Sequence, residues 1–497
     1  MTFERRRLKF SLRMLLACAI FFCAVGRVGH AEENSSPLAD AIQNKQWKHA
    51  ERLLQKDLEV NVSQADGMTA LHWAVLYEKS ELVTELIDRG ADVNARNRYD
   101  VPVLYLACLN GNGQIVNFLL KNGADPHHVL RGGETLLMTA ARTGKLGPVK
   151  ALIAQKVDVN AKDRRGQTAI MWAAAEGNVE AVGALMDAGA DYRTPLASGF
   201  TPLFFAVREG KPQTVFRLLD AGLDVNEPMQ IKRGSGKGPR RSTTPLLLAV
   251  ENGHFELAAK LLEAGADPNE KRTGYTPLHA LTWVRKPLRG DGDPPPIGSG
   301  KMSSLDFARV LIDKGADVNA RHGKHSSGNQ RLNLTDATPF LMAAETGDLP
   351  YLKLLLGLGA DPKLKNADQA TPLLAAAGVG ILGNGDESAG TEEEAIATVD
   401  LLLKLGADVN AVDDRGNSAM HGAAYKSWTK LVQFLADNGS DIEVWNRQNR
   451  FKRTPLEIAQ GHRPGNFRPS PETTAAILKV MQTAGVEPSS ETSPKKE

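Results

Sequence analysis

A 33-residue periodicity constrains this chain more than any other feature. A motif opening with Thr-Pro-Leu, or a variant of it, recurs at Ser36, Thr69, Pro102, Thr135, Thr168 and Thr201, each 33 residues after the last. It continues at Thr244, Thr276, Thr338, Thr371, Ser418 and Thr454, with intervals of 43, 32, 62, 33, 47 and 36. Self-similarity at such a period marks a repeat architecture, in which no unit buries its apolar face alone and stacking supplies one continuous core. The 497 residues therefore form one long array rather than the several ordinary domains that length alone suggests.

Each unit parses in the same way. In Thr69-Ala70-Leu71-His72-Trp73-Ala74 the threonine caps a short helix of small apolar residues. A second helix is predicted over 81–88, with Leu82, Val83, Leu86 and Ile87 on one stripe. Gly90 ends it in the left-handed region that side chains resist. Ala91-Asp92-Val93-Asn94-Ala95 then leads into an extended finger, whose Asp and Asn satisfy their own backbone turn.

These residues resemble the ankyrin repeat: Thr276-Pro277-Leu278-His279 matches that family's opening and Gly315-Ala316-Asp317-Val318-Asn319-Ala320 its close. The resemblance covers residues 36–487. It implies an all-α repeat solenoid of helix–turn–helix units with hairpin-like fingers, about twelve units counting the caps. It further implies that His72, His279 and His421, at the signature's histidine, hydrogen-bond neighbouring loops. Ser36-Pro37-Leu38-Ala39 and Thr454-Pro455-Leu456-Glu457 read as the shielding ends. Some units depart from the pattern. Lys156 and Asp57 stand where a helix-ending glycine belongs, at a cost on the order of 1 kcal/mol. Gly422 lies inside a helix and reads as a local weak point.

Insertions break the spacing in the second half. Ten extra residues, basic in character, lengthen the finger within 227–243. Eighteen separate two helices within 284–304, eleven more fall within 321–335, and fourteen within 378–394. The last unit carries ten. Long loops in compact arrays are either functional or disordered, and the sequence leaves that open. Residues 488–497 read as a disordered tail.

The first residues are set apart as a targeting segment. Arg5, Arg6, Arg7, Lys9 and Arg13 form a basic head, and residues 14–26 are an uncharged run of 13. That is well short of the ~20 residues of a membrane-spanning helix. Gly29-His30-Ala31 offers small residues for cleavage after Ala31, making 1–31 a signal peptide and 32–35 a short linker. Arg6-Arg7 leaves Sec and twin-arginine export both open. Cleavage would remove six of the 60 Lys and Arg and one of the 58 Asp and Glu, leaving 54 against 57, a net −3. Nothing in that balance points to nucleic acid. Cys18 and Cys23 would leave too, so Cys108 is the only mature thiol and no internal disulfide forms. It holds a consensus alanine position and reads as a small buried residue.

The chain contains no Gly-x-Ser-x-Gly, His-Glu-x-x-His, Cys-x-x-Cys or phosphate-cradling loop. It therefore reads as no enzyme and as needing no cofactor or metal. His127-His128 and His322/His325 read as solvated surface histidines, and Arg289-Gly290-Asp291 as a chance tripeptide. Trp73 and Trp172 read as core. The remaining candidate is the concave face that ankyrin stacks present. Its fingers carry Arg98, Tyr99, Arg131, Arg164, Arg165, Tyr192, Arg193, Phe200, Arg272 and Tyr275. Its first helices add Leu76, Tyr77, Leu109, Arg142 and Arg208. Arginine beside tyrosine is the composition of interface hot spots.

The function expected is an exported scaffold, periplasmic or extracellular, binding a protein with an acidic face and keeping no transmembrane anchor after cleavage. A structural spacer of the cell envelope, a rod of roughly 110 Å at ~9–10 Å per unit, is the alternative. An enzyme in the inserted loops is the remote one. Oligomeric state stays open.

Overall fold

Short helices in pairs, the first of most pairs opening at a threonine, build the described part of this chain. The computed structural model describes residues 36–56, 58–231, 241–287, 295–324, 332–380, 390–462 and 468–487. The expected signal segment with Ala31, the linker, Asp57, most of the basic insert, Arg289-Gly290-Asp291, His325 and the 488–497 tail lie outside those residues. Among the described residues there are 25 helices, two isolated β-bridges in the fingers and no strand. The architecture is the all-α repeat solenoid that the resemblance implies.

The chain divides into two compact units, one ending at Arg241 and one beginning at Ser242. In the first, helix pairs run from Pro37–Gln43 and Trp47–Leu54 to Pro202–Arg208 and Pro212–Leu219. In the second they run from Pro245–Glu251 and Phe255–Glu263 to Pro455–Ala459 and Pro471–Thr483. A one-turn helix, Ile442–Trp445, stands before that last pair. Each of the twelve repeat openings in the sequence begins one pair.

The core follows from the repeat. Ala74, Ala107, Ala140, Ala173 and Ala206 recur every 33 residues, and all are fully buried, so successive first helices lie close together. Leu86, Leu119, Leu152, Leu185 and Leu218 recur likewise on the second helices, also with no exposed surface. Each such leucine stabilises the stack by about 1.5–3 kcal/mol relative to exposure.

Hydrogen bonds tie unit to unit in two rows. The Asp of each Asp-x-Asn closes its own turn, as Asp92 Oδ1 does by accepting from the Asn94 N–H at 2.8 Å. The Asn instead reaches the next unit, a role the sequence reading missed. Asn94 Nδ2 donates to the Gly123 carbonyl at 2.9 Å, and its Oδ1 accepts from the Asp125 N–H at 2.8 Å. Asn61 and Asn160 in the first unit and Asn269, Asn319 and Asn410 in the second repeat the pattern. The other row joins finger tips by backbone: Arg98 N–H to Asp66 carbonyl, 2.9 Å; Ala367 to Thr335, 2.9 Å; Arg450 to Arg415, 2.8 Å.

Lys156 does adopt the left-handed conformation expected of it, φ 59°. Gly422 is corrected: it is a contact point rather than a weak one. A Cβ there would meet the Ala377 carbonyl oxygen at 2.5 Å and the Val379 nitrogen at 2.7 Å, so only glycine lets the two segments meet. The described end of the insert before Ser304, from residue 295 on, lies against the preceding pair, with Ser299 N–H donating to His254 Nδ1 at 2.8 Å. The Glu392-Glu393-Glu394 run, read as loop, forms the first turn of the 13-residue helix Glu392–Lys404. Its capping box with Thr391 and its three carboxylates at the helix N-terminus explain the extension.

Candidate protein-interaction face

The histidine of each Thr-x-x-His or Ser-x-x-His opening holds the fingers in place. The Thr69 N–H donates to His72 Nδ1 at 3.2 Å, and His72 Nε2 donates to the Val101 carbonyl on the next finger at 3.3 Å. His279 and His421 repeat this with Ala337 and Arg447, both at 3.0 Å. The bond between loops implied by the resemblance is there, with a helix cap added. Burial lowers all three below the ordinary histidine value: His72 and His421 to about 4, His279 to about 3. They are neutral spacers, not acid–base groups.

The candidate residues separate into three groups. Phe200 and Tyr275 are corrected: both are buried, at 6% and 1% exposure. Each is the last finger residue before a helix-capping threonine, and its ring turns inward. Phe200 packs on Phe205 at 5.0 Å and Tyr275 on Trp283 at 4.8 Å, while the Tyr275 hydroxyl donates to Glu251 at 2.6 Å. Tyr192 and Arg193 are also corrected, for they sit away from the tips. Arg193 takes the place of the inter-unit Asn and donates to the Ala221 and Gly222 carbonyls at 3.3 Å, and Tyr192 donates to Ala221. Both finish a helix C-terminus.

A second group is half-buried and occupied. Leu76 and Leu109 are partly covered. Tyr77 stacks on Trp73, meets Trp47 edge-on and donates to the Gln43 carbonyl at 3.0 Å. Arg142 lies 5.0 Å over Trp172, and Arg208 covers Phe200 and Phe205 while pairing with Glu209 at 2.9 Å. Arg272 is exposed, yet pairs with Glu270 at 3.1 Å. Trp73 is core as read, whereas Trp172 is half-exposed beneath its arginine.

The third group is the face that remains. Arg98, Tyr99, Arg131, Arg164 and Arg165 are exposed at finger tips of the first unit, Tyr99 by 69%. Arg131 donates to the Arg98 carbonyl at 3.2 Å. The other four side chains have no hydrogen bond or ion pair to a described residue. Asp66 and Asp163 accept backbone N–H groups of their own turns rather than pairing with these side chains.

Two histidines read as solvated are buried: His128 bonds the Asp100 carbonyl at 3.0 Å, and His322 packs on Tyr275 and His279. His127 is exposed. Among the described residues no cluster of His, Cys, Asp or Glu could hold a metal, and no helix is long and apolar enough to cross a membrane. Cys108 is buried and its thiol pushed far up by desolvation. A cleft of about 390 Å³ in the second unit went unread in the sequence. Its Arg285 binds Asp348 twice, at 2.7 and 2.9 Å, and Ser304 at 2.6 Å; its Lys286 pairs with Glu394 at 2.6 Å. These bonds retie the chain around the insert, Arg285 and Asp348 lying 63 residues apart, so no local pattern announces them.

Comparison with known proteins agrees with this build. The family model for ankyrin repeats in three copies matches residues 12–97, 104–195, 137–229, 203–286 and 389–466, and a second ankyrin model matches 77–120. Human ankyrin repeat and SOCS box protein 6 is 30% identical over 181 residues, 36% of this chain and 37% of that protein. Human neurogenic locus notch homolog protein 1 is 35% identical over 163 residues, 32% of this chain and 5% of that protein. The chain thus spans well under two thirds of these relatives' length, and what they share with it is the repeat. The family models match well over half of the residues, and the chain belongs to the ankyrin-repeat family.

Proposed function

We propose that this protein is an exported, non-enzymatic scaffold that binds the acidic face of another protein through the finger tips of its first unit. One observation carries the reading: Arg98, Tyr99, Arg164 and Arg165 are exposed and unengaged among the described residues, while the other candidates are buried, partly covered or already bonded. Desolvating free arginine and tyrosine against a complementary surface is what interface hot spots do. Ankyrin repeats generally bind another protein, which supports the class of function. The basic head, the uncharged run of 13 residues and Gly29-His30-Ala31 support export to the periplasm or beyond.

The test is affinity capture from envelope and secreted fractions with the wild-type chain and a variant carrying Ala at 98, 99, 164 and 165. A specific partner held by the wild type should bind the variant at least ~10²-fold more weakly. Undiminished binding would remove this face as the site. N-terminal sequencing of the exported chain should begin at Glu32.

A further inference from the structure

The arginine row on that same face, on whose assignment this inference rests, carries more than charge. Arg98, Arg131 and Arg164 occupy one position in three consecutive repeats. One repeat earlier stands Ala65 and one later Ala197, so the row has three rungs and stops on both sides. Backbone bonds tie its first rung to the repeat before the row and its third rung to the second. The Arg98 N–H donates to Asp66 at 2.9 Å and the Arg164 N–H to Gly132 at 3.4 Å. A Cβ on Gly67 or Gly133 would come within 2.8 or 3.0 Å of those amide nitrogens, so the tips touch where glycine permits it. Packed helices lie ~8–10 Å apart, and rungs repeated once per helix pair follow that spacing.

Arg131 gives one N–H to the Arg98 carbonyl at 3.2 Å, so a partner that meets all three through the remaining donors must present carboxylates at that spacing on one face. A β-strand offers one face every second residue, about 7 Å, or every fourth, about 13 Å, and both miss. A polyproline II segment offers every third residue on one face, about 9.3 Å apart. An α-helix reaches about 10.5 Å only in seven-residue steps, so three contacts need some fifteen ordered residues, a length at which a free helix is marginal. The polyproline II conformation needs no internal hydrogen bonds and is largely preformed. The Tyr99 ring, 69% exposed beside the first rung, supplies the aromatic surface on which such segments dock. The geometry points to a partner segment in polyproline II conformation, with Asp or Glu at i, i+3 and i+6, laid along the three finger tips.

The test uses proline-rich peptides of one composition with three glutamates, spaced either by three or by two residues, titrated onto the full chain by fluorescence anisotropy. The three-spaced peptide should bind about tenfold tighter and weaken with salt. Arg131→Gln should cost it about tenfold, and Arg131→Lys, which keeps charge but loses the planar fork, an intermediate amount. Equal binding of both peptides, each weakened by Arg131→Gln, overturns the spacing and leaves the face standing. A helical peptide with glutamates at seven-residue steps that outbinds both overturns the conformation. If no peptide binds while the four-residue variant still loses its captured partner, the inference fails alone. If that variant also keeps its partner, the face falls with it.

Discussion

His72, His279 and His421 show how one side chain serves two structures at once. Nδ1 must accept from the N-cap N–H and Nε2 must donate to the next finger's carbonyl, so only the neutral Nε2–H tautomer fits. Protonation would set an N–H against an N–H. Each folded value, about 4 or about 3, lies below the ordinary 6.5. The unfolded chain therefore binds protons first as pH falls, and stability is full above pH 6.5 and is lost progressively toward pH 4. The loss is on the order of 3 kcal/mol per histidine. His72→Gln keeps an acceptor for the cap, as Glu457 does in the last unit at 2.8 Å, without titrating. Urea denaturation of that variant at pH 7 and pH 4.5 should show a smaller difference than the wild type. The histidine's place was legible from the Thr-x-x-His spacing. The burial of Phe200, Tyr275, His128 and His322 was not, because a finger residue's direction depends on the neighbouring finger it packs against.

At the scale of the element, the helices were legible and their meetings were not. Gly422 looks like a propensity defect when helix Ala419–Lys426 is considered alone. Packed, it lies against the Ala377 carbonyl, a contact 45 residues away in sequence that no local pattern encodes. Ala is the better helix former, yet Gly422→Ala should destabilise by about 1–3 kcal/mol, because the obstructing atoms are backbone and cannot swing aside. A rise in stability on chemical denaturation would restore the weak-point reading. The same limit hid the Asn rows. Asp-x-Asn announces a turn, and only the stacked neighbour gives the Asn amide its second partner.

For the whole molecule, repetition makes stability local, since each pair is buried chiefly by its neighbours. Leu86 has no exposed surface, and Leu86→Ala should cost about 2–5 kcal/mol. Hydrogen exchange should quicken in the helices around residues 70–121 and fade along the first unit. Uniform loss of protection along that unit would contradict local coupling. The sequence by itself determined the repeat, the helix pairs, the capping threonines and the absence of familiar catalytic motifs, because these rest on residue type and spacing within one unit. It placed the arginines on fingers as well. Only the tertiary structure decided which of them are free. Whether an arginine faces solvent, covers an aromatic ring or closes a helix end depends on what the adjoining unit sets beside it, and that neighbour lies a full repeat away.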